Sequence, residues 1–381
     1  MKRIVLMYDG ASSAYAGAEM FFINAATELS KHGFEVTLVD LPDSLIPKHL
    51  KDHGVPFEFV PFKKGRKIKI NGRQDYLMVT NTKIFHCCRL SLNWDCKVLV
   101  VEIDKDFWED GYENDTMFHK LSNLTMRRWR QYLISNKGLA ILENSARELA
   151  EQKGYAECQS LPKIPLMVPD VPSLSKVRES PKDINRLRFL GAGRDARYKI
   201  APLAYFFPRI KQLLPEASFK FVTHNVAHAE TVFREMGVDF VQLIPSMEPE
   251  RLNEFMDKEA DCVIAMGTTS LNAALLGLPT LIGDASKEWP YPATKMRWIH
   301  DCNENIGEYV TSSSRPDYGI DEQKAVCDLT SSYSDMSRLS KEYVEKEHSA
   351  RLFVETAQRA LAESRVTFFK YVLHTRCGVL R

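Results

Sequence analysis

The chain has 381 residues, a formal net charge of +1 at pH 7, 44% hydrophobic and 27% charged residues. That length exceeds one average core and points to two domains, while the charge balance excludes a general nucleic-acid binder and makes any basic site local. No window approaches the roughly 18 apolar residues of a membrane span, and eight cysteines without a CxxC pair or metal-ligand spacing indicate reduced, cytoplasmic thiols.

Ile4 to Met7 reads as a buried strand. A Gly- and Ser-bearing turn follows, then a helix with Phe21, Phe22, Ala25, Ala26 and Leu29 on one side, ending at Gly33. Val36 to Val39 is the next strand, so the first forty or so residues form a βαβ unit, which implies a parallel sheet. Val55–Val60, Tyr76–Thr80 and Val98–Ile103 are further strands. Residues 61–73, PFKKGRKIKINGR, form a basic segment close to Phe57, Phe59 and Phe62. It is either a contact for an acidic or membrane-bound acceptor or a solvated surface hairpin. The stretch Met126–Tyr132, MRRWRQY, carries the same ambiguity. Leu139–Leu142 is a strand, and a short helix is expected around Ser145–Lys153.

Residues 161–183 contain five prolines, too many for a long helix or a central strand, and read as an interdomain linker. The βα alternation then restarts: strands at Leu187–Leu190, Ser218–Thr223 and Phe240–Ile244, helices at 200–214, 228–236 and 249–257. The stretch Ala260–Asp284 is a strand, a Gly267-Thr268-Thr269-Ser270 turn, a helix closed by Gly277, and another strand. A charged helical segment, Ser334–Ser364, leads to an aromatic-basic tail, Arg365–Arg381. Alternation in both halves predicts two doubly wound α/β domains. The expected boundaries are 1–165, a linker at 166–185, 186–350, and a terminal helix and tail at 351–381 that packs back on the first domain.

Ligands of doubly wound sheets bind at the carboxyl ends of strands. Three loops there carry suitable chemistry. In the first, Gly10–Gly17, small residues around Gly17 admit a substrate close to the backbone. In the second, Gly191–Lys199, two glycines precede Arg194 and Lys199, a candidate diphosphate clamp with Arg197 as a third donor; the alternative is a solvated basic loop. In the third, Thr268, Thr269 and Ser270 start a helix whose free N–H groups and dipole suit an anion; the alternative is an ordinary helix cap.

At these residues a resemblance is visible. AGAEMFFINAATELSKHGFEVTLV resembles the first motif of the GT-B glycosyltransferases of the large retaining, family 4-like group that includes bacterial lipopolysaccharide and capsule enzymes. LRFLGAGRDARYKIAPLA, GLAILENSARELAEQKG with KIPLMVPDV, and RLNEFMDKEADCVIA resemble later motifs in the same order, over about residues 1–285. The resemblance implies two Rossmann-like domains facing each other across a cleft. It further implies a nucleotide-sugar donor held mainly by the second domain, a glycan or glycolipid acceptor held mainly by the first, and Arg194 and Lys199 as the diphosphate-binding pair. The paired glutamates of that group are missing: Asn272 stands where the ribose-binding one would fall, and Ile264 stands eight residues before it. The MGTTS turn instead resembles hydroxyl-rich turns of GT-B enzymes that use CMP donors.

For proton transfer, Asp104 is the first candidate base, then Glu102 and Asp106, with Glu102 and Asp104 on one strand face by their spacing of two; a strand-end charge pair without a catalytic role is the alternative. Glu19 reads as a supporting carboxylate at a helix start, and His86 as a structural histidine. His224 and Asn225 end a strand and are candidates to line the donor pocket, while Trp289 and Tyr291 either cover a base or sugar or pack at the surface. Asp104-Lys105-Asp106 fits the letters of a DxD motif, but cationic side chains and helix dipoles are expected to handle the diphosphate, so neither metal nor cofactor is expected. The expected function is a cytoplasmic glycosyltransferase of surface polysaccharide biosynthesis with a candidate peripheral membrane contact. The alternatives are a GT-B sugar-nucleotide epimerase or a non-catalytic GT-B scaffold.

Overall fold

The computed structural model describes residues 1–8, 15, 17–63, 66–80, 89–103, 105–108, 123–155, 157–169, 176–181, 183–313 and 318–379. The chain forms two compact units, one of Met1–Leu166 with Ala350–Arg381, the other of Met167–Ser349.

In the first unit the elements run β1 (Lys2–Met7), α1 (Gly17–Lys31), β2 (Phe34–Asp40), α2 (Leu45–Asp52), β3 (Glu58–Pro61), β4 (Ile68–Lys69), β5 (Tyr76–Thr80), β6 (Leu90–Ser91), β7 (Lys97–Glu102), α3 (Asn123–Ser135), β8 (Leu139–Ile141) and α4 (Asn144–Gln152). Six of the strands form a parallel sheet in the order β3-β2-β1-β5-β7-β8. Helices cover both faces of such a sheet, so its central strands are apolar throughout; Ile4, Val5, Leu6 and Met7 are all fully buried. In α1, Phe21, Phe22, Ala25, Ala26 and Leu29 are buried as their spacing requires.

In the second unit the elements are β9 (Arg188–Ala192), α5 (Arg197–Leu213), β10 (Ser218–Thr223), α6 (Val226–Glu235), β11 (Gln242–Pro245), α7 (Pro249–Glu259), β12 (Cys262–Ala265), α8 (Thr268–Leu275), β13 (Thr280–Ile282), β14 (Arg297–Trp298), α9 (Glu322–Ser331) and α10 (Tyr333–Glu347). The sheet order is β11-β10-β9-β12-β13-β14, parallel except for the antiparallel edge strand β14. Both sheets follow the Rossmann order, two βα steps to one side of the first strand and the rest to the other.

Four local expectations change. Helix α5 begins at Arg197 rather than 200, because Ala196 takes the extended N-cap conformation; Arg197 and Lys199 therefore lie in its first turn. Strand β11 begins at Gln242 rather than 240, after Gly237 (φ +79) closes α6 and the Val238 N–H returns to the Phe233 carbonyl. The 334–364 segment breaks at buried His348 into α10 and α11 (Ala350–Glu363), and the tail folds as α12 (Phe368–Val379). The 61–73 segment is no hairpin: β4 pairs in parallel with β6.

The basic-aromatic reading of Met126–Tyr132 is also corrected. Met126 and Trp129 are core residues, and Arg130 is buried, with Nη1 donating to the Tyr155 hydroxyl at 2.9 Å and its guanidinium over the Phe107 ring. The period of α3 turns these side chains inward, which leaves no exposed aromatic face there.

Helices α11 and α12 belong to the first unit. The Val98 N–H donates to the Val366 carbonyl at 2.8 Å, the Ser364 hydroxyl donates to the Val98 carbonyl at 2.7 Å, and Val366 fills the space a Cβ at Gly138 would need. The start of the Pro-rich segment stays with the first unit, the Ile141 N–H donating to the Pro162 carbonyl at 3.0 Å, and its residues 176–178 are fastened to the second unit. Arg178 donates to Asp257 at 2.7 Å, and the Lys176 carbonyl approaches Gly277 so closely that a Cβ there would lie 1.8 Å from it. Gly277 (φ +71) thus serves both as the left-handed residue closing α8 and as the seat of the segment.

Candidate functional site

In the second unit the chain leaves β9 toward β10 and β11, then returns to lay β12 on the other side of β9. The carboxyl ends of β9 and β12 therefore flank the switch point of the sheet, where the following loops diverge and leave a crevice. The loop after β9 carries Arg194 and leads into Lys199; the loop after β12 is Met266-Gly267, leading into α8.

Arg194 is exposed and makes no ion pair among the described residues. Lys199 is half-buried and lines a small pocket with Ala192, Ala265, Met266 and Gly283, residues from the ends of β9, β12 and β13. Arg197, read from the sequence as a third donor, instead pairs with Glu235 at 3.0 Å. It exchanges that role for bracing α5 against the end of α6.

Gly267 has φ +65 and ψ −143, a region essentially restricted to glycine. It starts α8 with no side-chain cap. The N–H groups of Thr268, Thr269 and Ser270 find no acceptor among the described residues, as the first turn of a helix requires unless a ligand or water supplies one. Thr268, Thr269 and Asn272 are half-buried. Ser270 differs from the expectation: it is fully buried and its hydroxyl donates to the Gly267 carbonyl at 2.7 Å. Its side chain shapes the turn, and only its N–H is available to an anion.

His224 follows β10 and is exposed. It lies beside the clamp loop, since Val222 pairs with Ala192 and accepts the Gly193 N–H at 3.0 Å. Asn225 is committed to capping α6, accepting the His228 N–H at 3.1 Å. Thr223, just before, is buried and its hydroxyl finds no partner among the described residues, a group that sequence reading treated only as a strand end. Tyr291, a candidate either to cover a ligand or to pack at the surface, does neither: it is buried and donates to the Asp284 carbonyl at 2.7 Å, and Trp289 packs partly against the same core.

Sequence reading missed a buried charged cluster beside the site. Asp284 follows β13 and accepts from Arg297 and, at 2.8 Å, from the Glu308 N–H. Arg297 also reaches Glu308 at 3.4 Å, and Tyr318 donates to Glu308 at 2.9 Å. Burial pushes the Asp284 carboxyl up, against the pull of Arg297. The three charges come from separated segments, so no local pattern announces them.

In the first unit Gly17 opens α1 with open space where a Cβ would stand. Glu19, in the first turn of that helix, is buried and accepts from the Tyr8 hydroxyl at 2.6 Å. Glu102 ends β7 beside Ile141 and is only 2% exposed. Asp104, His86, the side chain of Asp106 and most of the Gly10–Gly17 loop lie outside the described residues.

The two Rossmann-like units give the chain a GT-B fold. Solved structures with that fold bear this out. HepE from Anabaena in complex with UDP and glucose matches over 95% of this chain and 100% of its own, with a TM-score of 0.56 and 12% identity. A point mutant of TarM from S. aureus, in complex with Fondaparinux, alpha-GlcNAc-glycerol and UDP, matches over 95% and 100%, with a TM-score of 0.60 and 10% identity. A glycosyltransferase from Rickettsia africae matches over 95% and 98%, with a TM-score of 0.56 and 11% identity. The chain matches no protein-family model and no curated protein sequence.

Proposed function

We propose that the chain is a glycosyltransferase that moves a sugar from a nucleotide donor to a glycan or glycolipid acceptor. The observation that carries this reading is the set of anion donors at the β9/β12 switch point: Arg194, Lys199 and the start of α8. The similar folds of HepE and TarM, each with UDP in its complex, support it.

In this reading the second unit holds the donor. Arg194, Lys199 and the N–H groups of Thr268–Ser270 face the phosphate that leaves with the nucleotide. Charge grows on that phosphate as the bond to the anomeric carbon breaks, and preorganised donors lower the barrier by stabilising it. Asn272, Thr268, Thr269 and His224 are the further candidates for donor contacts on the second unit. When transfer inverts the sugar, the acceptor hydroxyl attacks the anomeric carbon and its proton passes to a carboxylate, for which Asp104 is the candidate. Glu102, buried at the end of β7, is the next candidate base and Asp106 the third. A lipid-linked acceptor fits a peripheral contact of the first unit with a bilayer, for which the basic 61–73 segment is the sequence candidate.

The test is release of nucleotide from UDP-, GDP-, dTDP- and CMP-sugars, each with and without a lipid-linked glycan. The expected result is acceptor-dependent release from one donor class that is lost in Arg194→Ala/Lys199→Ala. Interconversion of the free sugar nucleotide without an acceptor would replace this reading with an epimerase.

A further inference from the structure

We infer that the first unit carries a surface for an anionic lipid bilayer, built by Trp94, Phe369 and Leu373 with basic side chains around them. Trp94 is 60% exposed, Phe369 50% and Leu373 47%. The Trp94 and Phe369 rings meet edge to face at 5.4 Å, and the Phe369 N–H donates to the Trp94 carbonyl at 3.1 Å. Leu373 lies four residues after Phe369 on α12, on the same helix face. The opposite face is already occupied, since Phe368, Tyr371 and Val372 are buried. Exposing a tryptophan, a phenylalanine and a leucine together costs solvation free energy, and a bilayer interface recovers it, with tryptophan the side chain best suited to that depth.

Charge decides the kind of partner. Beyond Glu363 the sequence carries Arg365, Lys370, Arg376 and Arg381 and no acidic residue. Two acids near the patch have partners: Asp95 is paired with Arg73 and accepts a hydrogen bond from the Asn93 amide, and Glu363 is paired with Lys137 at 2.7 Å. The basic segment joins the same region, because Lys69 pairs with Ser91 on β6, the strand that runs into Trp94. There Ile68 and Ile70 point inward while Arg66, Lys67 and Lys69 are exposed. Apolar anchors flanked by unopposed cations match a surface of anionic headgroups. This inference places the membrane contact of the proposed transferase but does not depend on its chemistry.

The experiment is co-sedimentation of the full chain with phosphatidylcholine vesicles with and without phosphatidylglycerol, at low and high salt. Tryptophan quenching by brominated lipid is read alongside it. Trp108, Trp129 and Trp298 are buried and Trp289 is half-buried, so the signal of Trp94 is taken as the part of the quenching that Trp94→Phe removes. Binding is expected with phosphatidylglycerol at low salt, with Trp94 quenched. Trp94→Ala/Phe369→Ser/Leu373→Ser should weaken it at least about tenfold, and Arg365→Glu/Lys370→Glu should remove its dependence on anionic lipid. Absence of sedimentation with anionic vesicles, binding unchanged in both variants, or a dimer in solution that the triple variant dissociates would each overturn the inference. Nucleotide binding by the second unit is measured on the same samples, so failure of the lipid surface and failure of the transferase reading are told apart.

Discussion

The Gly267 N–H donates to the Ile306 carbonyl at 2.7 Å, and this bond fixes where α8 begins. Ile306 stands two residues before Glu308, which Asp284 and Arg297 hold in place. The N-terminal end of α8 is thus tied to a buried charged cluster as well as to its own strand. Gly267→Ala forces a side chain onto φ +65, ψ −143, at a cost of about 1–3 kcal/mol. Urea denaturation should show that loss, and nucleotide affinity should fall with it; unchanged stability would mean the turn relaxes freely.

Arg297→Ala leaves Asp284 buried without its cation and should destabilise the second unit by about 3–5 kcal/mol. The loss should depend on pH. Burial already holds the Asp284 carboxyl above its ordinary value, so between the unfolded and the folded pKa the folded state binds more of the proton than the unfolded state does. The stability this proton confers is present below the unfolded pKa and is lost as pH rises through the folded one. Without Arg297 the folded pKa rises further, so the variant should lose more stability relative to the parent at pH 8 than at pH 5. An equal deficit at both would contradict the placement of Asp284.

Of the three basic residues after β9, Arg197 is held by Glu235 at 3.0 Å. Arg194→Ala and Lys199→Ala should each weaken nucleoside-diphosphate binding by about 1.5–3 kcal/mol, roughly tenfold to more than a hundredfold. Arg197→Ala should change it little, because Arg197 serves Glu235. Calorimetric titration of the three variants checks the order.

Asp104→Asn should lower kcat by about 10²–10⁴ while leaving donor affinity intact. Glu102→Gln should cost stability as well as rate, since that side chain is buried. Rates and melting temperatures measured together distinguish the two carboxylates.

Burial pushes the Cys96 thiol up to about 12, which leaves almost no thiolate at neutral pH. Maleimide labelling of the native protein followed by peptide mapping should find Cys327, which is exposed, modified, and Cys96 and Cys262 modified only after unfolding.

The fold was legible because its signals are local. The apolar run Ile4–Met7, the α1 stripe Phe21–Leu29 and the strand–turn–helix at Ala260–Gly277 each carry their own period. Gly277 could be read as a helix terminator, but not as the seat of Lys176, since that contact joins distant segments. Arg194, Lys199 and the α8 threonines were visible as residue types after strands. The pairing of Arg197 with Glu235 and the inward turn of Ser270 were not, because each depends on where a helix starts to within a residue. The Asp284–Arg297–Glu308 cluster and the burial of Arg130 depend wholly on tertiary contacts, and no sequence period encodes them.

The most direct measurement is thermal unfolding of the parent and of Arg194→Ala against UDP, GDP, dTDP, CMP and ADP. A ligand at a hundredfold its Kd stabilises the folded state by about 2.7 kcal/mol. One nucleotide is expected to raise the melting temperature of the parent clearly, and Arg194→Ala should lose most of that shift. No shift with any nucleotide, or an equal shift in the variant, would contradict a donor site at the β9/β12 switch point.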